Sequence, residues 1–373
     1  MENIGIIDAD LIDNGTNFPN LALMKISAYH KDLGNNVVLL ESYDKIDKYD
    51  KVYISKVFNF TNVPKEVFNK KNVELGGTGF YFEKAPDLSS TIEHHMPDYH
   101  LYDNYVMKQI SNGKDPKRFI YYTKCSIGFT TRGCFRKCEF CVNKKYDKPI
   151  IHSSIDEFLD KERQFICLLD DNVLAYEKWE LILDDLIATQ KPFHFRQGLD
   201  IRLLTPKKAE KLSKVKYHGD FIFAFDNIKD KPLIEKKLKL WRQYSKKTTK
   251  LYLLCGYYSQ DIQDIIDTFE RIRILMKYGC NPYIMRYEAY KNSKFKNIYI
   301  QLARWCNQPQ FYKKMSYREF CEANQFYHKN KDTLCLAYKS MIDFENEYPK
   351  VAEKYFDLKY ENLKIDNKDL QVI

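Results

Sequence analysis

Long apolar runs are missing from this sequence of 373 residues. No stretch approaches the roughly 18–20 apolar residues of a membrane span, so we expect no membrane partner. The opening run, residues 1–8, has the pattern of a buried strand and lacks that of a signal peptide. In a chain without a secretion signal, ten cysteines indicate thiolate chemistry in a reduced compartment rather than disulfides, and we expect a cytoplasmic protein.

Cysteine is also absent from residues 1–124, whereas three cysteines lie in the run GFTTRGCFRKCEFC of residues 128–141. Cys134, Cys138 and Cys141 have the spacing C-x3-C-x2-C. Three thiolates on one short loop can bind three irons of a [4Fe–4S] cluster and leave the fourth iron open to a substrate or cofactor. A cluster that only transfers electrons is normally closed by a fourth cysteine. The spacing therefore favours an open cluster.

Zinc is the alternative for this loop. Zinc in proteins takes four ligands, commonly as two pairs of cysteine or histidine, and the sequence has no clean second pair. The nearest candidates for a fourth ligand are Cys125, His152 and Cys167. From the spacing alone, a zinc site and an ordinary electron-transfer cluster both stay open.

The formal net charge of +9 allows two interpretations. A positive surface would suit a polyanion, so nucleic acid is a candidate substrate. The other interpretation is compositional, because the chain is rich in Lys, Asn, Ile and Tyr and its lysines are spread along the whole length.

The first part of the chain alternates strands and helices. Residues 19–33 have apolar residues at helical spacing, and Gly34 follows as a stop signal. Strands are predicted at residues 3–8, 37–40 and 51–55, and a fourth strand that begins at residue 73 is predicted to run into a Gly-rich turn that ends at residue 79. Strand, helix and strand at this spacing form a βαβ unit, so we predict a doubly wound, Rossmann-like α/β domain over residues 1–115.

Between residues 116 and 295 the strand-then-helix pattern repeats six times. The predicted strands are residues 125–129, 165–169, 193–197, 221–225, 251–255 and 282–286. Six β/α units make a partial (β/α)6 barrel rather than the closed eight, and an open barrel leaves a lateral gap for a large substrate. Residues 296–373 are predicted to form a C-terminal helical segment.

The cysteine run resembles the cluster loop of the radical S-adenosylmethionine (SAM) superfamily. Phe140 before the third cysteine and the lead-in Thr-Arg-Gly of residues 131–133 also follow that family's pattern. The resemblance implies that the open iron binds the amino and carboxylate groups of SAM. An electron from a flavodoxin or ferredoxin then cleaves SAM, and the 5′-deoxyadenosyl radical removes hydrogen from a substrate that the sequence does not identify. No side chain is assigned to that later step.

The first domain resembles the cobalamin-binding-type domain that precedes the SAM barrel in one subgroup of this superfamily. The Gly-Gly-Thr-Gly turn of residues 76–79 lies where that subgroup's cofactor loop falls. The parent fold often carries Asp-x-His-x-x-Gly, whose histidine binds cobalt, but residues 10–15 have Ile12 at the histidine position. We therefore expect that the domain has lost cobalamin, and binding without that ligand is the alternative.

The resemblance also implies where SAM is bound. Function in β/α barrels gathers at the carboxyl ends of the strands, and this chain has acidic, amide and basic residues there. By position, Asp171 and Asn172 correspond to the methionine end of SAM, whereas Phe140 corresponds to its adenine. The SAM contacts implied in this way are Phe140, Asp171, Asn172, Gln197, Asp200, Arg202, Gly256 and Tyr257.

Two other functions stay open. One is a radical SAM enzyme that modifies nucleic acid or nucleotides by methyl or methylthio transfer. The lead-in resembles that of tRNA methylthiotransferases, but their N-terminal three-cysteine domain has no counterpart in residues 1–124. The other is a non-catalytic Fe–S or zinc protein that binds nucleic acid. A second cluster on Cys306, Cys321 and Cys335 would need unusually loose spacing, so we expect ordinary thiols there.

Overall fold

The structure, a computed structural model, describes residues 1–82, 85–330 and 332–365. The chain divides into two compact units, residues 1–197 and 198–373. Both units are mixed α/β with parallel sheets, which confirms the predicted class. The domain boundaries predicted after residues 115 and 295 stay predictions. Every helix within the described ranges is too short or too polar to cross a membrane.

The first unit begins with a parallel sheet. Its strands are β1 (Asn3–Asp8), β2 (Asn36–Leu39), β3 (Lys51–Ser55) and β4 (Val73–Gly76), in the order β2-β1-β3-β4. Helices α1 (Ala9–Asn14) and α2 (Leu21–Asp32) connect β1 to β2. The first helix begins where the Asp8 carboxylate accepts a hydrogen bond from the Leu11 N–H, and it ends at Gly15, which has a φ of +61°.

The central strand β1 is covered on both faces of the sheet, and its side chains alternate between those two faces. Ile4 and Ile6 of β1 lie on one face, in a core shared with Leu23 of α2. Ile7 belongs to a separate core together with Val52 of β3. The nearly continuous apolar run of β1 is the pattern expected of a parallel strand that is covered on both sides.

The rest of the first unit carries a second parallel sheet. The strands of this part are β5 (Cys125–Gly128), β6 (Thr131–Arg132), β7 (Ile150–Ile151), β8 (Phe165–Leu168) and β9 (Phe193–Phe195). The parallel sheet has the order β5-β8-β9, and β6 pairs antiparallel with β7. The helices of this part are α3 (Thr78–Tyr81), α4 (Ser90–Glu93), α5 (Asp103–Ser111), α6 (Ile120–Thr123) and α7 (Trp179–Ala188).

The second unit has a parallel sheet of its own. Its strands are β10 (Phe221–Ala224), β11 (Thr249–Cys255) and β12 (Asn281–Arg286), in chain order. The helices described here are α8 (Pro206–Lys214), α9 (Lys231–Tyr244), α10 (Ile262–Lys277), α11 (Lys296–Cys306), α12 (Pro309–Tyr312), α13 (Tyr317–Phe326), α14 (Leu336–Glu347), α15 (Pro349–Tyr355) and α16 (Tyr360–Leu363). The buried Arg271 of α10 donates to the carbonyls of Phe225 and Leu254, and this ties the ends of β10 and β11 together.

Each strand predicted from the sequence has a counterpart in the structure, with small shifts at the ends. β4 ends at Gly76, where the predicted Gly-rich turn begins, and Gly77 has a φ of +96°, outside the range of a strand. A Cβ at Gly77 would collide with the carbonyl oxygen of Lys56, and one at Gly79 would lie 2.6 Å from that of Phe58. Close backbone packing therefore explains Gly77 and Gly79 of this turn, but not Gly76, where a Cβ would meet nothing within 4 Å.

We expect Gly128→Ala to destabilise the protein by about 1–3 kcal/mol, because the new methyl group would overlap the buried ring of Phe158. Gly76→Ala is the matched control. Both glycines end a parallel strand, but a methyl group at Gly76 would meet nothing within 4 Å. Thermal unfolding followed by circular dichroism measures both variants, and equal melting temperatures would contradict the expectation.

Candidate functional site

The three clustered cysteines lie on a loop that closes on itself. β6 and β7 pair antiparallel, with Thr131 opposite Ile151, and the residues 133–149 between them are called the cysteine loop below. Gly133 opens this loop with a φ of +96°, and a Cβ there would lie 2.5 Å from the Cβ of Tyr146. Glycine is required because any side chain would push the two arms of the loop apart.

A buried carboxylate fastens the start of the loop to the end of β8. Asp170 is 1% exposed, and it accepts hydrogen bonds from the backbone N–H and the hydroxyl of both Thr130 and Thr131. These four hydrogen bonds are 2.6–3.1 Å long. Burial raises the pKa of Asp170, and the four donors oppose that shift because they stabilise the charged form.

A second carboxylate binds the loop itself. Asp171 accepts a hydrogen bond of 2.7 Å from the Gly133 N–H, and its other oxygen accepts one from the side-chain amide of Asn143. Burial raises the pKa of Asp171, while the Gly133 N–H, the charge of Arg132 and the Asn143 amide act in the opposite direction. The loop is thus held at its first residue and again beyond its last cysteine.

The amide side chain that follows contacts a cysteine directly. Asn172 is 4% exposed, and its Nδ2 donates to the Sγ of Cys134 at 3.2 Å. Its Oδ1 is buried and accepts no hydrogen bond from the residues that the structure describes. A buried amide oxygen without a donor costs about 1–3 kcal/mol. This oxygen is therefore a point at which a hydrogen-bond donor of a ligand would fit.

Backbone N–H groups of the loop also point at cysteine sulfurs. Cys134 and Cys141 are both half-buried, and they accept hydrogen bonds of 3.4 Å from the N–H groups of Arg136 and Asn143, respectively. Burial raises the pKa of the Cys141 thiol, and the Asn143 N–H opposes this. Such donors stabilise a thiolate or a metal-bound sulfur more than a thiol, since negative charge on the acceptor strengthens the hydrogen bond.

Within the described ranges, no group of three or more His, Cys, Asp and Glu side chains is arranged to hold a metal ion. That finding concerns ligands that converge on one ion, whereas the cysteines of a [4Fe–4S] cluster bind different irons. The iron and zinc predictions for Cys134, Cys138 and Cys141 both stay predictions.

The three candidates for a fourth zinc ligand make contacts elsewhere in the first unit. Cys125 and Cys167 are fully buried in a hydrophobic core that includes Leu21. The Nε2 of His152 lies 3.2 Å from the carboxylate of Glu93. These contacts give the three side chains structural roles.

The cysteines proposed for a second cluster are similarly placed in structural surroundings. Cys306 and Cys321 are buried, and burial raises the pKa of Cys321 to about 12. Cys335 caps α14, because its sulfur accepts a hydrogen bond from the Tyr338 N–H.

The predicted SAM contacts of the first unit differ in their surroundings. Asp171 and Asn172 come together at the cysteine loop, as described above. Phe140 is half-buried on the loop, and Gln197 is exposed two residues beyond the end of β9. The structure therefore brings two of these four residues into one hydrogen-bonded group.

In the second unit, two predicted SAM contacts bind each other. The Nε of Arg202 lies 2.7 Å from the carboxylate of Asp200, and its Nη1 lies 2.7 Å from that of Asp230. The backbone N–H of Arg202 also donates to Asp200. Arg202 is thus bound by two carboxylates.

The other two predicted contacts follow β11. The Gly256 N–H donates to the carboxylate of Asp264 at 2.7 Å, and the Tyr299 hydroxyl donates to the same carboxylate. Burial raises the pKa of Asp264, and these two hydrogen bonds oppose the shift. The ring of Tyr257 packs edge-to-face against that of Tyr287, with 4.7 Å between the centroids.

The motif did not predict the anchoring residues. The two threonines before the loop and the two aspartates after β8 are visible in the sequence, but about forty residues separate Thr130 from Asp170. Which of Asp170 and Asp171 turns towards the threonines depends on side-chain direction at the strand end. The role of Asn143 could not be predicted from the sequence, because asparagine is common in exposed turns.

The base of the loop is also connected to the first sheet of this unit. Glu93 of α4 binds Lys25 of α2 at 3.0 Å and His152, which directly follows β7, at 3.2 Å. Burial would raise the pKa of Glu93, but the hydrogen bond from His152 and the charge of Lys25 outweigh it and hold the pKa at about 2. His94 pairs with Glu157 at 2.7 Å beside this group.

No model of a protein family matches the chain, and no match is found among curated proteins.

We expect Glu93→Gln to cost about 1–3 kcal/mol of stability at neutral pH and progressively less in acid. The folded-state pKa of about 2 lies below the ordinary value of 4.5, so the stabilisation is fully present above that ordinary value. It is lost as the pH falls from about 4.5 towards 2. Urea unfolding of both proteins across this pH range measures the difference, and a difference independent of pH would contradict the assignment.

We expect Asp170→Ala to loosen the start of the cysteine loop, because four buried donors would lose their acceptor at a cost of several kcal/mol. Limited trypsin digestion read by mass spectrometry should show faster cleavage after Arg132 and Arg136. Asp185→Ala is the control, since Asp185 is an exposed carboxylate on α7. Cleavage at the wild-type rate in Asp170→Ala would show that the anchor is dispensable.

Proposed function

We propose that this chain is a radical SAM enzyme that carries a [4Fe–4S] cluster on Cys134, Cys138 and Cys141. One observation carries the proposal. A loop with the C-x3-C-x2-C spacing is held at the carboxyl end of a parallel strand by two consecutive aspartates, Asp170 and Asp171. A cluster with one open iron needs cysteines on a fixed loop. Cysteines that move would bind the cluster less tightly and would position the open iron less precisely.

The chemistry of the residues fits this cofactor. Iron–sulfur clusters are bound by cysteine thiolates and tuned by hydrogen bonds to the sulfurs. N–H donors already lie 3.2–3.4 Å from the sulfurs of Cys134 and Cys141. The buried Oδ1 of Asn172 gives the same site an acceptor that is not used by the described residues.

When bound, the cluster and SAM together supply an electron and a 5′-deoxyadenosyl radical that removes hydrogen from the substrate. The residues of the chain orient and protect this chemistry. Asp170 and Asp171 fix the loop, and the N–H donors of Arg136, Asn143 and Asn172 stabilise negative charge on the sulfurs.

An acidic electron carrier, a flavodoxin or a ferredoxin, is the proposed partner. Support comes from the basic residues of the loop region. The Arg132 guanidinium lies over the ring of Phe129, and its charge would attract an acidic surface and favour reduction of a nearby cluster. The exposed Lys137 adds a second cation, whose charge is partly offset by Asp147 at 2.7 Å.

The proposed contacts to SAM in the first unit are Phe140, Asp171, Asn172 and Gln197. Asp171 and Asn172 are supported by their place beside the cysteine loop. The resemblance implies further contacts from Asp200, Arg202, Gly256 and Tyr257, and these stay predictions.

We also propose the finer fold that the resemblance implies. The order β2-β1-β3-β4 is that of the first four strands of one common doubly wound sheet, which supports a Rossmann-like domain. The strands β5, β8, β9, β10, β11 and β12 are proposed as the six strands of a partial barrel. Support is that the strands are parallel within each of the two three-stranded sheets, and that a helix follows each strand from β8 to β12. Between β5 and β8 the chain forms β6, β7 and the cysteine loop in place of a helix.

Cobalamin is left out of this proposal because the residues fit it poorly. Ile12, at the position of the cobalt-binding histidine, lies on α1 and offers no donor atom. Asp10 accepts hydrogen bonds from Val57 and Thr61, so its carboxylate holds the loop after β3. Gly77 and Gly79 of the Gly-rich turn are explained by backbone packing, as shown above.

We expect the wild-type protein, after anaerobic reconstitution with iron and sulfide, to convert SAM to 5′-deoxyadenosine when dithionite is added. Cys138→Ala should give no product above background. Cys335→Ser is the matched control, because Cys335 is a half-buried cysteine outside the loop and serine can still cap α14. Liquid chromatography with mass spectrometry measures the product.

The outcome also separates the alternatives. No product together with stoichiometric zinc in the isolated protein would overturn the proposal and favour a metal-stabilised binding protein. Product formation that rises when RNA or nucleotides are added would favour a nucleic-acid-modifying enzyme. Loss of product in Cys335→Ser would point to a second cluster in the described C-terminal helices.

A further inference from the structure

The side chain of Asn172 is placed rigidly against one cysteine of the loop. The carbonyl of Asn172 accepts a hydrogen bond of 3.0 Å from the Ala175 N–H, and the intervening Val173 and Leu174 are each 1% exposed. The preceding aspartates are anchored to the loop by the hydrogen bonds described above. The backbone on both sides of Asn172 is therefore fixed, so its amide has little freedom to turn away from Cys134.

The hydrogen-bond acceptor of the Asn172 amide is a cysteine sulfur. The Nδ2 of Asn172 lies 3.2 Å from the Sγ of Cys134. The sulfur of a neutral thiol is a weak acceptor, whereas a thiolate or a metal-bound sulfur is a much better one. A buried amide that donates to a cysteine is therefore suited to a state in which the sulfur carries negative charge.

We infer that Asn172 is a positioning residue that raises the reduction potential of the cluster by donating a hydrogen bond to the sulfur of Cys134. This inference rests on the proposed function. Reduction adds one negative charge to the cluster and its sulfurs. A donor on a sulfur stabilises the reduced form more than the oxidised form, and hydrogen bonds to sulfur are among the features that set the potential of such clusters.

Asn172 differs from the other donors of the loop in one respect. Arg136 and Asn143 donate through their backbone N–H groups, which any residue except proline would provide. The donor of Asn172 belongs to its side chain and is removed by substitution. The tuning can therefore be tested without changing a cysteine.

The test is a redox titration of the reconstituted cluster, followed by visible absorbance and by electron paramagnetic resonance. We expect Asn172→Leu, which keeps the approximate volume and removes the donor, to shift the midpoint potential to a more negative value than wild type. Asn172→Ser retains a shorter hydroxyl donor and should fall between the two. The serine variant also tests the inference if the leucine variant fails to fold.

Asn112→Leu is the matched control, because Asn112 is an exposed asparagine at the end of α5, outside the cysteine loop. The same change of side chain is made there without removing a hydrogen bond to a sulfur or to Asp171. We expect a midpoint potential close to that of wild type.

The failure of this inference can be told apart from the failure of the proposed function. Equal iron content and equal midpoint potentials in wild type, Asn172→Leu and Asn172→Ser would overturn the inference and leave the proposed function standing. A wild-type protein that takes up no [4Fe–4S] cluster, with neither its absorbance nor its paramagnetic signal after reduction, would overturn both.

Discussion

The carboxylate of Asp170 is the contact on which the candidate site depends. β5 and β8 are hydrogen-bonded neighbours, so their ends lie side by side, and Asp170 at the end of β8 can reach Thr130 and Thr131 beyond the end of β5. Without this contact, the short ladder of β6 and β7 would hold the base of the loop with little support. A charged acceptor with four donors is strong enough to fix the chain where the strand pattern stops.

Much of the fold could be predicted from the sequence, because strands buried on both faces leave a clear apolar signal. Residues 3–8 and 51–55 were predicted as strands with the ends that the structure gives them. The Gly-rich turn after the fourth strand was predicted as well, and Gly77 lies in it with a positive φ. The same turn shows how a cofactor-like motif can arise from packing alone, because Gly77 and Gly79 lie against the backbone of residues 56–58.

The candidate site was predictable only in outline. The spacing of the cysteines and the polar strand ends are local in sequence, but the partners of those polar groups are distant. Asp230 binds Arg202 across a separation of 28 residues, and the charges of Arg271 and other groups act on the buried Asp226, whose pKa burial raises to about 6. These polar residues at strand ends therefore stabilise the fold through contacts within the chain. A ligand-binding role for such a residue has to be judged against the contacts that its side chain already makes.

The contacts of the cysteine loop hold its cysteines in position, whereas the raised pKa of the Cys141 thiol would oppose the binding of a metal cofactor. Anchors and N–H donors hold the cysteines in place before anything binds, so a cofactor would not have to supply the free energy of ordering the loop. The thiol of Cys141 works against binding, because burial raises its pKa and the nearby charge of Asp171 adds to that effect against the Asn143 N–H. A metal ion that binds Cys141 would have to displace this proton, so its affinity would decrease as the pH is lowered. The N–H donors at the sulfurs act in the other direction, since they stabilise the thiolate that the metal requires.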